Sequence, residues 1–419
     1  MAAPAEPGRA DAAAVQTTDW RLAAVLLAAG VIAAVQIGKA PPALPLLRAE
    51  LGLDLQAAGW FVSLITAMTA AAGMLVALAA DRIGHRQLLL GGLVIGAAAS
   101  ALSTLVTSPS ALFGLRIVEG LGFLSVVVSV PPLLLHATAP GDTRFMMGIW
   151  GAYLPAGAGL MALASAGLLP LEGWRGVWWL AAASLMAMAV VVAASAAGRA
   201  PPAASADRSL TRDVVETLSV PGPALIGLCF GCYAGSWYAV IAFLPTLQVE
   251  RLGFSPSLAA LTTAGVILIN VTGSLVAGWL LQRGWRRSVV IAVTAVLMAG
   301  TAAGILLDAA PDAARLACAF AFSMVASAIP GALFGAIPVH APRPGLIGAT
   351  TGALMQGSNI GSLTGPPIVA ALVSANGWAS ALWYTTPALA LAAAAGFALQ
   401  RREPRPGAGR PAGRAPEPG

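Results

Sequence analysis

Charge is what this sequence has least of. Asp, Glu, Lys and Arg make up 10% of its 419 residues, while 58% are hydrophobic. A soluble domain carries about a quarter charged residues. A chain this poor in charge cannot cover a water-facing surface, so lipid must replace water around much of it. Lysine is scarcer still: Lys39 is the only one. A P-loop needs Gly-x-x-x-x-Gly-Lys-Ser/Thr, but Lys39 is followed by Ala40 and position 33 is Ala. ATP hydrolysis by this chain is thereby excluded. The three histidines, His85, His136 and His340, fall near loops and form no His-Glu-x-x-His. No nucleophile–base pair or metal-ligand set emerges, so neither an enzyme nor a metal site is expected, and no cofactor is.

Cysteines are also few. Cys229, Cys232 and Cys318 all lie inside apolar runs. The Cys229–Cys232 spacing has no second pair nearby and reads as two small apolar fillers. Residues 1–19 hold Glu6, Asp11 and Asp19 and no apolar core, so they are not read as a cleavable signal. The first helix is expected to be a retained insertion signal. The net charge of +6 is spread over short separate loops, which argues against a nucleic-acid partner.

Long apolar runs are what is present. Spans are expected near 21–43, 57–79, 87–107, 111–135, 144–168, 173–197, 222–245, 257–282, 288–308, 312–338, 345–374 and 377–400. The division that follows is a tail at 1–19, a six-helix bundle at 20–198, a polar linker at 199–220, a second bundle at 221–400, and a Pro/Gly/Arg-rich tail at 401–419 expected to be disordered. Twelve spans put both termini on one side. Seventeen arginines then fall in loops on that side and four, Arg48, Arg175, Arg251 and Arg315, on the other. The positive-inside rule makes the arginine-rich side cytoplasmic and the protein a multi-pass inner-membrane one.

The two halves repeat. Leu44-Pro45-Leu46-Leu47, then Glu50 and Gly52, returns as Leu244-Pro245-Thr246-Leu247, then Glu250 and Gly253. His136 to Gly141 returns as His340 to Gly345, Gly157 as Gly361, and Gly173-Trp174 as Gly377-Trp378. Two six-helix repeats of the same orientation follow.

Between spans two and three the chain reads Ala77-Leu78-Ala79-Ala80-Asp81-Arg82-Ile83-Gly84-His85-Arg86. This resembles the signature loop of the major facilitator superfamily, Gly-x-x-x-Asp-Arg-x-Gly-Arg/Lys-Arg, with Ala77 and His85 departing from it. Gly278 to Arg287 is a decayed copy that keeps Arg283 and Arg287 but has Gln282 in place of Asp81. Span four carries Leu112, Arg116, Glu119, Gly120 and Gly122, similar to a second motif of that superfamily. Gly151 to Gly159, with Pro155 and Gly157, is similar to its flexing helix; Gly361, the counterpart of Gly157, with Gly365 and Pro366 is expected to flex in the second half. The Lys39-Ala40-Pro41-Pro42-Ala43-Leu44-Pro45 segment is similar to the cyanate/nitroimidazole-transporter-like bacterial branch. The resemblance implies an all-α membrane protein of twelve helices in two pseudo-symmetric bundles. It also implies a gating role for Asp81, Arg82, Gly84, Arg86, Arg283 and Arg287.

A charge at a helix centre costs about 2.5–3.5 kcal/mol on insertion scales, so each one needs a reason. Three are found: Lys39, Arg116 and Glu119. Arg116 and Glu119 stand three residues apart and are expected to pair, leaving Lys39 without an evident acid. Lys39 then has two readings, snorkelling to the far headgroups or binding an anionic substrate, and Arg116 is a second substrate-binding candidate. Glu119, the one carboxylate within a span, is the proton-coupling candidate. The second half offers neutral groups instead, and Asn270, Gln356 and Asn359 are its substrate-binding candidates. The expected activity is secondary transport by alternating access of a small organic or inorganic anion, with or without a proton. Proton-coupled efflux of amphipathic compounds is the alternative, and a non-transporting membrane sensor a lesser one. The expected partners are a small-molecule substrate and membrane lipid, with the monomer as the working unit.

Overall fold

The turns of this chain are written twice. The computed structural model describes residues 17–195, 210–343 and 346–403. Among these, six glycines take a positive φ, and they form three pairs roughly two hundred positions apart: Gly52 with Gly253, Gly84 with Gly284, and Gly173 with Gly377. The φ values match within each pair, at 64° and 64°, 90° and 85°, and 62° and 80°. A side chain with a Cβ is strained there, so glycine is the residue the turn needs. The flanking caps match as well. After Gly52, the Asp54 carboxylate accepts from the Ala57 N–H at 2.6 Å; after Gly253, the Ser255 hydroxyl accepts from the Leu258 N–H at 3.2 Å. Each satisfies a donor that a helix start leaves unpaired.

Between these turns run twelve spans. Span 1 is Trp20–Leu51, span 2 Leu55–Ile83, span 3 His85–Ser103 and span 4 Pro109–His136. The helix Tyr153–Ala194 folds at Gly173 into spans 5 and 6. Span 7 is Pro221–Leu252, span 8 Pro256–Gln282, span 9 Arg287–Leu306 and span 10 Asp312–His340. Span 11 is Ile347–Asn376 and span 12 Trp378–Gln400. Ten helices among the described residues are long and apolar enough to cross a membrane. One of those holds spans 5 and 6 together, and the glycine-rich span 11 joins them as a thirty-residue helix. The twelve-helix, two-bundle expectation stands. We call the side bearing Trp20 and Gln400 the terminal face and the opposite side the distal face.

Glycine also sets the helix packing, in the same way in each half. A Cβ on Gly157 of span 5 would lie 2.0 Å from the Val31 carbonyl oxygen of span 1, and one on Gly361 of span 11 would lie 2.0 Å from the Gly231 oxygen of span 7. Spans 7 and 11 carry this further. Gly227, Gly231 and Gly235 face Gly357, Gly361 and Gly365, backbone against backbone, every fourth residue. Small residues at that spacing let membrane helices approach closely. The glycines expected to flex are thus placed at close helix contacts, and a Cβ on Gly365 would meet the Gly235 oxygen at 2.4 Å.

Three spans are interrupted. Span 1 breaks at Lys39, where Pro41 and Pro42 supply no N–H to the preceding turn. Span 8 breaks at Ile269 and span 10 at Ser327, side by side: Asn270 Nδ2 donates to the Ser323 carbonyl, and the Ser327 hydroxyl donates to the Asn270 carbonyl. These bonds re-satisfy backbone groups that the breaks release.

The expected linker and tail both carry some structure. Within the expected linker, Leu210–Ser219 is a helix whose Glu216 pairs with Arg343; 199–209 lie outside the described residues, as do Pro344 and Gly345 of the repeat. The tail expected to be disordered from Arg401 is held as far as Glu403, which pairs with Arg287 and lies 3.6 Å from His340. Residues 1–16 and 404–419 lie outside the described residues.

The halves meet in a seam along spans 2 and 11. On the distal side Gly59 of span 2 packs on Pro366 and Pro367 of span 11 and the Ser63 hydroxyl donates to the Ser362 carbonyl at 3.2 Å; deeper in, Gln356 donates to the Ala70 carbonyl at 3.0 Å. At the distal rim Arg48 of the first half pairs with Glu250 of the second at 2.7 Å.

Candidate functional site

The three intramembrane charges form one group. Lys39 Nζ lies 2.6 Å from Glu119 Oε1, and Arg116 Nη1 lies 2.9 Å from Glu119 Oε2. All three side chains are wholly buried. This corrects the expectation that Lys39 lacks an acid, and it rules out snorkelling. The physical reason is span length. Span 1 continues to Leu51 rather than ending near residue 43, so Lys39 lies well inside it, beside span 4. One carboxylate therefore faces both a lysine and an arginine, a formal net charge of +1.

Neutral residues complete the group. The Ser100 hydroxyl of span 3 donates to Glu119 Oε1 at 3.0 Å and accepts from Lys39 Nζ at 2.8 Å and from Gln36 Nε2 at 2.9 Å. Arg116 Nη1 also donates to the Gln36 carbonyl at 2.9 Å, next to the break in span 1. Aromatic faces cover the cations: Lys39 Nζ is 4.6 Å from the Trp178 ring centre, and the Arg116 guanidinium is 5.1 Å from that of Phe61. Such contacts help most where water is excluded. Two buried donors at the group have no acceptor among the described residues, Arg116 Nη2 and Trp178 Nε1.

Gln36, Ser100, Trp178 and Phe61 were not singled out from the sequence. Gln36 carried a signal, being an amide in an apolar run three residues before Lys39. The others are residue types found throughout membrane helices.

The second-half candidates do not assemble into a matching group. Asn270 spends its amide on the Ser323 carbonyl at 2.8 Å, and Gln356 spends its own on Ala70. Asn359, half-buried on span 11, makes no hydrogen bond among the described residues. The signature-loop residues sit apart from the charge group, on the terminal face. Gly84 makes the turn there, Arg86 donates to the Ala193 carbonyl at 2.9 Å, and Arg82 is exposed. The Asp81 side chain lies outside the described residues. In the second half Arg283 stacks on Trp279 at 3.9 Å, and Arg287 donates to the Ala332 and Gly335 carbonyls at 3.0 and 3.1 Å. Pro155 lies in span 5, beyond the short helix Thr143–Trp150.

Two similar bundles with paired turns, an arginine-bearing loop after span 2 and a charge group shared by spans 1 and 4 describe a known architecture. The Major Facilitator Superfamily profile matches residues 26–356 and 226–418. The chain belongs to the Major Facilitator Superfamily. It is 23% identical over 335 residues to the putative niacin/nicotinamide transporter NiaP of Bacillus subtilis (strain 168), covering 78% of this chain and 82% of that one. It is 25% identical over 230 residues to the cyanate transport protein CynX of Escherichia coli (strain K12), covering 54% and 58%. Among solved structures it resembles an inward-facing, unoccupied bacterial homologue of the human lysosomal transporter Spinster, with a TM-score of 0.74, 16% identity and 92% and 98% coverage. It also resembles the nucleoside transporter NupG, with a TM-score of 0.74, 13% identity and 91% and 99% coverage. As a member of this superfamily the chain is a multi-pass membrane transporter for small molecules rather than an enzyme.

Proposed function

We propose that this transporter carries a small monovalent anion together with a proton, binding the anion at Arg116 and exchanging the proton at Glu119. The observation that carries this reading is the imbalance of the buried group. Two cations share one carboxylate, and Arg116 Nη2 points a donor at no acceptor. A buried positive charge in excess is costly unless something negative visits it. An anion arriving at Arg116 supplies that charge, and a proton arriving at Glu119 releases Arg116 to hold it.

The names of the relatives support the same class. Niacin is a carboxylate at neutral pH and cyanate is a monovalent anion, while nicotinamide, the other solute in the first relative's name, is neutral. Asn359 is the second-half candidate left free to hydrogen-bond a solute, whereas Asn270 and Gln356 serve the helix backbone. The arginine distribution makes the terminal face cytoplasmic. The distal seam is then the closed outer side, and the anion enters from outside when that seam opens.

The test is uptake of labelled nicotinate and of labelled cyanate by proteoliposomes under an imposed inward proton gradient. Glu119→Gln is expected to lose gradient-driven accumulation at least about tenfold while keeping exchange of labelled for unlabelled anion. Arg116→Gln is expected to lose both. Accumulation by Glu119→Gln at the wild-type level would remove the proton role. Full exchange by Arg116→Gln would remove the anion site.

A further inference from the structure

Span 2 is held at adjacent residues from opposite sides. From the first half, Arg116 Nε donates to the Phe61 carbonyl at 3.4 Å, and the guanidinium lies over the Phe61 ring. From the second half, the Tyr238 hydroxyl of span 7 donates to the Val62 carbonyl at 3.2 Å. Phe61 and Val62 are both wholly buried. The next residue, Ser63, makes the seam bond to Ser362. The charge group and the distal seam therefore grip one short stretch of helix.

The sequence makes this use of tyrosine unusual. There are four, Tyr153, Tyr233, Tyr238 and Tyr384, and all lie within spans rather than in the interfacial belts where tyrosine gathers in membrane proteins. Tyr238 is the one whose hydroxyl bonds across the halves. That bond is made in this structure, where the distal side is closed.

We propose that Tyr238 is a positioning residue that couples the charge group of Lys39, Glu119 and Arg116 to closure of the distal seam, through the Phe61–Val62 backbone of span 2. The proposal rests on the reading above that this group changes its charge during transport. A helical turn moves as a unit, so a shift of Arg116 off the Phe61 carbonyl displaces the Val62 carbonyl from Tyr238. By linkage the coupling is reciprocal: Tyr238 on Val62 favours the arrangement in which Arg116 holds both Phe61 and Glu119. Loading an anion or a proton weakens that arrangement and loosens the outer seal.

The test needs no substrate. In a variant with Cys229, Cys232 and Cys318 replaced by Ala, Ser362→Cys reports the seam while leaving its backbone bond from Ser63 intact. The rate of labelling by a membrane-impermeant maleimide added from outside is compared for four backgrounds: unaltered, Tyr238→Phe, Lys39→Met, and both. Lys39→Met leaves a neutral Arg116–Glu119 pair that draws the guanidinium from Phe61. Each single change is expected to raise labelling about tenfold, and the double change no more than about twofold above Tyr238→Phe alone. Independent, multiplicative effects would overturn the coupling, as would an unchanged rate in Tyr238→Phe. If Lys39→Met does not reach the membrane, Glu119→Asp is the second perturbation and is scored in the same way. Multiplicative effects in a protein that passes the anion tests would sink only the joint. Non-additive effects in a protein that moves no anion would sink only the substrate reading.

Discussion

At the scale of single residues, the decisive feature is one carboxylate serving two cations in the absence of water. Breaking a buried ion pair by removing one partner costs about 3–5 kcal/mol, because the other charge is left uncompensated. The three members of this group are unequal in that respect. Removing Lys39 leaves the Arg116–Glu119 pair neutral, whereas removing the charge of Glu119 leaves two cations facing each other. Glu119→Gln should therefore lower the thermal unfolding midpoint in detergent clearly more than Lys39→Met does. Equal losses would mean that the group is not electrostatically shared. The identity of these residues was legible in the sequence, since charges inside apolar runs announce themselves. Their pairing was only half legible. Spacing of three on one helix gave Arg116 to Glu119, but Lys39 reaches Glu119 only because spans 1 and 4 are neighbours and span 1 runs on to Leu51. Nothing local in the sequence records either fact. Tyr238, Trp178 and Ser100 were missed because their importance lies in which neighbour they meet.

At the scale of elements, glycine decides how closely helices pack. The facing series Gly227, Gly231, Gly235 and Gly357, Gly361, Gly365 brings spans 7 and 11 to backbone contact. Both sides of that contact are main chain, so neither can yield to an added methyl group. Gly361→Ala should cost about 1–3 kcal/mol, as overpacking does in tight cores. Gly352 of the same span has open space around it. Gly352→Ala should be neutral or slightly stabilising, since alanine favours helix by up to about 1 kcal/mol over glycine. Unfolding midpoints of the two variants check this directly, and a harmless Gly361→Ala would sink the packing account. The sequence marked Gly157, Gly361 and Gly365 as special, with Gly157 and Gly361 at matching places in the two halves. It suggested flexing because glycine beside proline reads that way in one helix taken alone. Close approach is a property of two helices, and the partner glycines on span 7 were the missing half of the signal.

At the scale of the whole molecule, the repeat explains how the two halves lock. Glu50 and Glu250 occupy equivalent places before the paired turns at Gly52 and Gly253. In the first half Glu50 is satisfied internally, by Arg175 at 2.5 Å and the Trp174 indole at 2.7 Å. The second-half counterparts of that pair are Trp378 and Ala379, so Glu250 has no equivalent arginine in its own bundle. It pairs with Arg48 of the other bundle instead. Where the first half has Arg175 the second has Ala379, and its glutamate makes a tie between halves instead, placed at the distal rim. Exposed pairs contribute about 0–1 kcal/mol, so this one is weak enough to open in every cycle. A link that cannot open should then stop the cycle. Arg48→Cys with Glu250→Cys, in the background lacking native cysteines, joined by a short bis-methanethiosulfonate linker, should abolish uptake, and reduction should restore it. Either single cysteine treated alike should keep transporting. Uptake that survives the double link would show that the distal rim does not separate, and alternating access through this seam would have to be abandoned.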